Sequence, residues 1–175
     1  RDVATKILTD GDATKDAILD GLDWLDRETT STDIAVIFIK GQAVPDRNGT
    51  PYVLSAQAKR EHLRLSALPF SDLKNLVSGL AGRSVVFLDL CQAHHPSNTE
   101  ACAAAVTGLG HDFANTERGT VLFSASTAHH DAEEHPSWGN GAFTLALTEG
   151  LQGKAAYNSA GAAPVSVNML ELYVT

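Results

Sequence analysis

The segment from Ser84 to His95 reads SVVFLDLCQAHH and places a cysteine just beyond a run of apolar residues. The run Val85–Leu88 is short, β-branched and aromatic, and it follows Gly82, which predicts a strand buried on both faces. In open α/β sheets, reactive groups collect at the carboxyl ends of the strands. Cys91 therefore holds a position suited to a nucleophile. The alternative is a buried, unreactive thiol that packs as a small apolar side chain.

Composition predicts one folded domain that spans residues 1–175 and has a hydrophobic core of its own. A hydrophobic content of 43% with 19% charged residues excludes a disordered chain. The net charge of −8, without a cluster of Lys and Arg, argues against nucleic-acid binding. No apolar run approaches the roughly 20 residues that span a bilayer. Two cysteines are too few for a disulfide framework and suit a reducing compartment, so we expect a cytoplasmic location.

Hydrophobic periodicity predicts strands that alternate with helices. Two further apolar runs predict strands at Asp33–Ile39 and Gly119–Ser126. Helical spacing of apolar residues predicts four helices, at Thr14–Arg27, Ser71–Leu80, Gly141–Leu151 and Ser166–Tyr173. Alternation of this kind predicts an α/β layer sandwich around a mostly parallel sheet.

Several shorter segments allow less definite predictions. Val3–Leu8 is expected to form a short strand, with Asp12 as the N-cap of the helix that follows. Tyr52–Leu54 is expected to be briefly extended after a turn-rich connection, Pro45–Pro51. The Ala-rich segment Asn98–Leu109 is either a helix or a mobile loop.

Five motifs, in this order, resemble the caspase-like cysteine peptidases, and the bacterial metacaspase branch is the most similar. They are ATKDAILDGLDWL at 13–25, a strand that ends at Gly41, a strand that ends in D-L-C at 89–91, GTVLFSAS at 119–126 and GNGAFTLALTEGL at 139–151. The resemblance covers essentially the whole chain. It implies a caspase-like three-layer sandwich and the activity of a cysteine-type endopeptidase.

The resemblance also implies that part of the family fold lies outside this sequence. The family's first strand and the helix after it normally precede the part that begins here. A sheet without that strand would expose an unpaired edge. We therefore expect the chain to be a fragment of a longer polypeptide, or a subunit whose sheet is completed by an upstream segment or a partner chain.

The catalytic turn of the family is altered in this sequence. In caspases a catalytic histidine precedes the cysteine by roughly 50 residues, and the corresponding position here is Gln42, 49 positions before Cys91. Glutamine takes up no proton near neutral pH, so it can neither activate a thiol nor protonate a leaving amine. We expect Gln42 to form structural hydrogen bonds. The resemblance places the oxyanion-binding backbone at Gly41 and Ala43, and Ala43 restricts the chain where the family has glycine.

The substrate pocket implied by the resemblance is altered as well. In metacaspases a small residue at the position of Lys40 and the acid at the position of Asp89 line an acidic pocket for a substrate Arg or Lys. If the two strands are adjacent, the Lys40 ammonium lies within Coulombic reach of Asp89. Asp89 is then either the acid of this pocket or an internal partner of Lys40. Gln92 and Ala93, which replace the usual His-Ser after the cysteine, are a further departure.

Seven histidines offer alternative chemistry. Those expected near the cysteine, any of which could replace the missing base, are His94, His95, His129, His130 and His135. A Cys/His zinc site built from the same residues lacks a recognisable ligand spacing, and Cys102 has no sequence neighbour that would complete one. Oxygen ligands for calcium are present at Asp131, Glu133 and Glu134, but their spacing matches no known loop motif. We therefore predict no metal and no cofactor, and expect surface histidines.

The sequence thus predicts a catalytically inactive pseudo-peptidase that acts by binding or scaffolding a protein or peptide ligand. The first alternative is an active endopeptidase that cleaves after basic residues, with Cys91 as nucleophile and a loop histidine as base. The second is a subunit completed by a partner polypeptide. Gln42 beside Lys40 favours the inactive form, because an enzyme with an acidic pocket needs neither residue.

Overall fold

The computed structural model describes residues 2–90, 96–114, 119–125, 141–156 and 164–174. Their regular elements, in chain order, are α1 (Lys15–Glu28), β1 (Ile34–Lys40), β2 (Ala43–Pro45), β3 (Pro51–Leu54), α2 (Leu63–Ser66), β4 (Ala67–Pro69), α3 (Phe70–Gly79), β5 (Arg83–Asp89), α4 (Pro96–Ala114), β6 (Thr120–Ser124), α5 (Ala142–Glu149) and α6 (Val167–Val174). Short 3₁₀ turns precede α1 and α2, and a π-helical stretch, Gly150–Lys154, extends α5.

The main sheet has three parallel strands in the order β1-β5-β6. Each strand is a short β-branched or aromatic run, the composition that suits a sheet covered by helices. The α/β class, the parallel sheet and the three strand positions predicted from hydrophobic runs are therefore confirmed. The central strand is β5, in which Val86 and Leu88 are fully buried.

Helices α1, α3 and α4 cover one face of this sheet. Leu22, Leu73 and Val106, one from each helix, belong to a single apolar cluster that also includes Ile37 and Val86. Burial of such side chains stabilises each by roughly 1.5–3 kcal/mol relative to exposure. The cluster therefore packs a layer of three helices against the main sheet.

Helices α5 and α6 cover the other face at β5 and β6. The rings of Phe87 and Phe123 stack with centroids 5.1 Å apart, and Phe143, Leu147 and Leu170 pack in the same cluster. Offset stacking of this kind adds to the burial of the rings. With helices on both faces, the fold is a three-layer α/β sandwich.

A second sheet, antiparallel and with the order β2-β3-β4, follows the carboxyl end of β1. Only the β3 part of it was expected from the sequence. The connection between β2 and β3 is held by Asp46, whose Oδ1 accepts hydrogen bonds from the backbone N–H of Asn48 at 2.8 Å and of Thr50 at 2.9 Å. β2 and β4 were missed because strands of three residues carry no readable periodicity.

Two local predictions at the start of the chain are wrong. Residues 2–9 contain no strand, and the side chains of Lys6 and Leu8 lie beside Gly21 of α1 instead. An apolar hexapeptide forms a strand only where another strand can pair with it. The N-cap of α1 is Thr14, whose Oγ1 accepts a hydrogen bond from Ala17 N at 3.2 Å, and Asp12 belongs to the preceding 3₁₀ turn.

The other helix predictions are confirmed with small shifts at their ends. The segment predicted as a helix or a loop at Asn98–Leu109 lies in helix α4, with Cys102 and Leu109 in the core. Ser166 caps α6 as expected, because its Oγ accepts a hydrogen bond from Met169 N at 3.2 Å. α3 begins one residue before the predicted Ser71, after Pro69.

Candidate functional site

Strands β1 and β5 end side by side at the carboxyl edge of the sheet. Their register pairs Lys40 with Asp89, and the backbone N–H of Gly41 donates a hydrogen bond to the carbonyl oxygen of Asp89 at 3.0 Å. The last residue of each apolar run is thus polar and lies at the same edge. This is the edge at which α/β folds collect functional side chains.

The carboxylate of Asp89 has two polar partners at this edge. The Nζ of Lys40 lies 3.6 Å from Asp89 Oδ2, and the hydroxyl of Thr144 in α5 donates a hydrogen bond to the same oxygen. The side chain of Asp89 is 2% exposed and that of Lys40 is 33% exposed. The proximity of Lys40 to Asp89 that the sequence predicted is therefore confirmed, while the role of Asp89 in a substrate pocket stays a prediction.

Burial explains why Asp89 needs these partners. An isolated carboxylate in an apolar interior is strongly destabilised, and an ion pair with additional hydrogen bonds offsets that cost. Lys40 supplies the charge from the solvent side and Thr144 supplies a hydrogen bond from the helix layer. The pair is half in water, so its interaction is weaker than that of a fully buried ion pair.

The turn that follows β1 is held by backbone hydrogen bonds. The carbonyl of Gln42 accepts a hydrogen bond from Leu54 N at 2.8 Å, and the side chain of Gln42 is exposed. Ala43 begins β2 and pairs with Val53 of β3. Among the described residues other than glycine, only Asp10 has a positive φ. The alanine thus causes no backbone strain at the position where the family has glycine.

The oxyanion role implied for Gly41 meets a geometric obstacle. Its N–H already donates to the carbonyl of Asp89. An oxyanion is stabilised by donors aimed at the oxygen and free to bind it. In this arrangement Gly41 therefore serves to join the ends of β1 and β5, and the role of Ala43 stays a prediction.

Much of the predicted chemistry falls outside the part of the chain that the structure describes. This holds for Cys91, Gln92 and Ala93, and equally for the five histidines and three acids considered as a base or as metal ligands: His94, His95, His129, His130, Asp131, Glu133, Glu134 and His135. The predictions made for them stay predictions.

Within the described ranges, Cys102 is buried in α4 and is disulfide-bonded. Because disulfides are rare in reducing compartments, this bond does not support the cytoplasmic location inferred from the cysteine count. The location stays a prediction. The same ranges hold no group of three or more His, Cys, Asp or Glu side chains placed to bind a metal ion. None of the helices described is both long and apolar enough to cross a bilayer.

Comparison with known proteins supports the fold. No family model matches this chain, and no curated protein matches it. The crystal structure of protein GSU0716 from Geobacter sulfurreducens is similar, with a TM-score of 0.60 and 17% sequence identity. The match covers 83% of this chain and 64% of GSU0716. The likeness shows a shared α/β fold, and this chain spans less than two thirds of the length of that protein.

Sequence reasoning missed Thr144 as a member of this site. Its motif was recognised as a helix, but nothing in a threonine on an apolar helix indicates that its hydroxyl reaches a carboxylate 55 positions earlier. Lys40 and Asp89 were found because each ends an apolar strand, a pattern that is local in sequence. The contact with Thr144 depends on how α5 packs across β5.

Proposed function

We propose that this chain is a caspase-like domain without peptidase activity, which acts by binding a protein or peptide ligand at the carboxyl edge of its sheet. The order of its motifs supports the assignment to this class, and an α/β sandwich with a parallel sheet is the architecture that the class requires. The ligand is a polypeptide segment, since the resemblance is to enzymes that act on polypeptides.

The observation that carries the proposal is the ion pair between Lys40 and Asp89. In an active relative, the acid at position 89 would receive a basic side chain of the substrate. Here its own chain supplies the cation, with Nζ 3.6 Å from Oδ2. A substrate arginine would have to displace Lys40 and also overcome its positive charge. Self-pairing thus weakens the recognition that peptidase activity would need.

Gln42 supports the same conclusion from the chemical side. A cysteine peptidase needs a base to form the thiolate and an acid to protonate the leaving amine. Glutamine can do neither, and its backbone is tied to β3. Removal of the base from a catalytic triad lowers the rate by several orders of magnitude, on the order of 10⁴–10⁶.

The alternative is an active endopeptidase in which Cys91 is the nucleophile and a loop histidine is the base. It predicts a thiolate at neutral pH and a preference for basic substrates. The inactive form predicts an ordinary thiol, with the pKa of a free cysteine, about 8.5. The two forms therefore differ in a measurable property of a single residue.

The test is labelling of Cys91 by a peptidyl electrophile that carries arginine, compared with iodoacetamide, over pH 5–10. We expect iodoacetamide alone to react, with a rate that rises towards about pH 8.5. The reaction is run with and without reductant because Cys102 is disulfide-bonded. Cys91→Ala is the control that assigns the labelled residue.

Selective labelling by the arginine electrophile near neutral pH, lost in Cys91→Ala, would contradict the proposal. Replacement of His94, His129 and His130 one at a time would then identify the base.

As a further comparison, Lys40→Ala is expected to increase reaction with the arginine electrophile, whereas Lys59→Ala, on the loop before α2, is expected to leave it unchanged.

A further inference from the structure

Helix α4 carries a disulfide-bonded cysteine in the core of the molecule. Cys102 is 2% exposed, and its sulfur is part of a disulfide. The sequence contains two cysteines, Cys91 and Cys102. Within one chain, Cys91 is therefore the residue that can complete this bond. Cys91 is also the candidate nucleophile, so the bond bears directly on the candidate site.

The end of β5 brings the chain close to Cys102. Leu90, which directly precedes Cys91, is fully buried and packs in the same apolar cluster as Cys102. Helix α4 also contacts β2 and β3, which follow the carboxyl end of β1. Since neighbouring Cα atoms are about 3.8 Å apart, position 91 lies at the border of the cluster that holds Cys102. A disulfide needs Cα atoms about 4.4–6.8 Å apart.

The burial of Cys102 argues against a bond to a cysteine of a second copy. Cys102 packs in one cluster with Val106 and Leu109 of the same helix. The Cα atom of a partner cysteine must come within about 7 Å of that of Cys102. A second copy could approach so closely only if α4 left the sheet. A bond within one chain requires no such opening.

Side chains at the end of β5 alternate between the two faces of the sheet. Leu90 packs in the cluster beneath α1, α3 and α4, whereas Asp89 accepts a hydrogen bond from Thr144 of α5, on the opposite face. An extended chain would place the next residue, Cys91, on the face of Asp89. Cys102 belongs to the cluster on the other face. A bond between the two cysteines therefore draws Cys91 away from Asp89.

We infer that Cys91 and Cys102 form a reversible disulfide that sets the availability of Cys91. In the oxidised chain, the bond holds the Cys91 sulfur on the α4 side of the sheet. A sulfur in a disulfide is no thiolate, so it is neither a nucleophile nor a target for alkylation. In the reduced chain, Cys91 is a free thiol at the carboxyl edge, and Cys102 is a small apolar side chain of the core.

Reduction is a thiol–disulfide exchange in which the co-reactant is a dithiol. One thiolate of the dithiol attacks the Cys91 sulfur, because the Cys102 sulfur is enclosed in the core. The S–S bond breaks, and Cys102 leaves as a thiolate. The second thiolate then attacks the mixed disulfide and releases Cys91, while the dithiol departs as a disulfide. Two electrons pass to the cysteines, and the two protons of the dithiol end on the released thiolates.

This inference does not rest on the proposed function. It concerns whether Cys91 exists as a thiol, whereas the proposed function concerns whether that thiol, once free, is activated. The connectivity of the cysteines decides the first question. The reaction of the reduced chain with the arginine electrophile decides the second, so either proposal can fail while the other holds.

The first test is a peptide map of the native chain after equilibration with oxidised dithiothreitol. The chain is unfolded in iodoacetamide without reductant, then digested with trypsin and with a protease that cuts after glutamate. Glu100 lies between the two cysteines, so this digestion separates them. We expect peptides 84–100 and 101–117 to be joined and unalkylated, and to separate on reduction. Alkylation of both cysteines before reduction, or a link between Cys102 residues of two copies, would overturn the inference.

The second test asks whether the folded chain opens and closes the bond. The native chain is equilibrated with mixtures of reduced and oxidised dithiothreitol and then treated with iodoacetamide. We expect alkylation of Cys91 to be absent in the oxidised buffer and complete in the reduced buffer, with the circular dichroism of the fold retained. The bond should re-form when the oxidised dithiol is restored. A bond that is reduced only on unfolding, or that does not re-form, would contradict the switch.

Cys102→Ala provides a matched variant. Alanine keeps a small apolar side chain in the core but removes the bond, so Cys91 should be alkylated equally with and without reductant. The control is Thr107→Ala, at an exposed position of α4, which should keep the dependence on reductant. If alkylation in Cys102→Ala still requires reductant, Cys91 is bonded elsewhere and the inference is wrong. If Cys102→Ala does not fold, the peptide map of the native chain still decides.

Discussion

At the scale of single residues, the candidate site is organised around the carboxylate of Asp89. The residue is 1% exposed, and its Oδ2 receives both the Lys40 ammonium and the Thr144 hydroxyl. The Lys40 contact follows from two adjacent parallel strands. The Thr144 contact links the sheet to α5, so it should contribute to stability whether or not the site binds a ligand.

Thr144→Val should therefore destabilise the fold. Valine keeps the shape of threonine but removes the donor to a buried carboxylate, which costs about 1–3 kcal/mol in the free energy of unfolding. The measurement is urea denaturation at neutral pH. Thr148→Val is the matched control, because Thr148 is exposed and its hydroxyl donates a hydrogen bond to the Thr144 carbonyl within α5. A loss for Thr148→Val as large as that for Thr144→Val would contradict this assignment.

At the scale of elements, the connection from α1 to β1 depends on a glycine. A Cβ on Gly82 would lie 2.6 Å from the carbonyl oxygens of both Thr30 and Asp33. Contacts this short are not tolerated, and neither backbone oxygen can move without displacing the loop. Gly82 thus allows the loop after α1 to pack against the start of β5.

Gly82→Ala is expected to lower the free energy of unfolding by about 1–3 kcal/mol, as overpacking typically does. Gly79→Ala, at the end of α3, is the control, since a Cβ there meets no atom within 4 Å. Alanine favours helix over glycine, so the control should be neutral or slightly stabilising. Thermal unfolding followed by circular dichroism distinguishes the two. A neutral Gly82→Ala would show that the loop rearranges freely.

Helices α5 and α6 are joined by a polar network at Glu149. Its carboxylate accepts hydrogen bonds from Lys154 and, at 3.0 Å, from the hydroxyl of Tyr173. The Lys154 hydrogen bond, followed by that of Tyr173, holds the pKa of Glu149 below its ordinary value of 4.5. The hydrogen bond to Glu149 raises the pKa of Lys154. Partial burial and the bond to Glu149 raise the pKa of Tyr173.

These pKa shifts predict a pH dependence of stability with a definite sign. Because the pKa of Glu149 is lower in the folded state, its contribution is complete above pH 4.5 and is lost as the pH falls through the folded value. The pKa values of Lys154 and Tyr173 are raised, so their contributions are complete below 10.5 and 10.0, respectively, and are lost as the pH rises through the folded values.

Glu149→Gln should therefore flatten the profile of unfolding free energy against pH at both ends. The measurement is urea unfolding at intervals from pH 3 to pH 11. Glu28→Gln, at the exposed end of α1, is the control for the loss of one surface carboxylate. If Glu149→Gln shows the same acid slope as the parent chain, the network does not stabilise the packing of α5 against α6.

At the scale of the whole molecule, the layers are not equally complete. Among the described residues, side chains of all three strands pack beneath α1, α3 and α4. On the opposite face, α5 and α6 cover β5 and β6, whereas Ile34, Val36 and Phe38 of β1 are exposed. Local stability follows burial and the number of hydrogen-bonded neighbours. The central strand, β5, should therefore be the last to unfold locally, and β1 should unfold before it.

Hydrogen exchange of the 175-residue chain tests this order. We expect the amides of β5 to exchange most slowly, because β5 pairs on both sides and its side chains from Val86 to Leu88 are buried. Amides of β1 that face the open edge should exchange faster by orders of magnitude. Equal protection of β1 and β5 would show that another part of the chain pairs with β1.

Local features of the sequence were sufficient to predict the α/β class, the three parallel strands and most helices. The reason is that a buried strand or an amphipathic helix shows its hydrophobic pattern among residues that are neighbours in the sequence. They were also sufficient to bring Lys40 and Asp89 to one edge, since both end apolar runs. They failed at Val3–Leu8 and at the small antiparallel sheet, where only a partner strand distinguishes extended chain from coil.

Tertiary structure alone decided the remaining features. They are the Thr144 hydrogen bond, the hydrogen bond from the Gly41 N–H to Asp89, and the exposure of Ile34, Val36 and Phe38. Each of them depends on which elements pack together. The apolar run at Asp33–Ile39 predicts a strand, but it does not indicate that Ile34, Val36 and Phe38 are about half exposed. The physical reason is that periodicity records what a segment is suited to bury, whereas burial itself requires a second surface that packs against the segment.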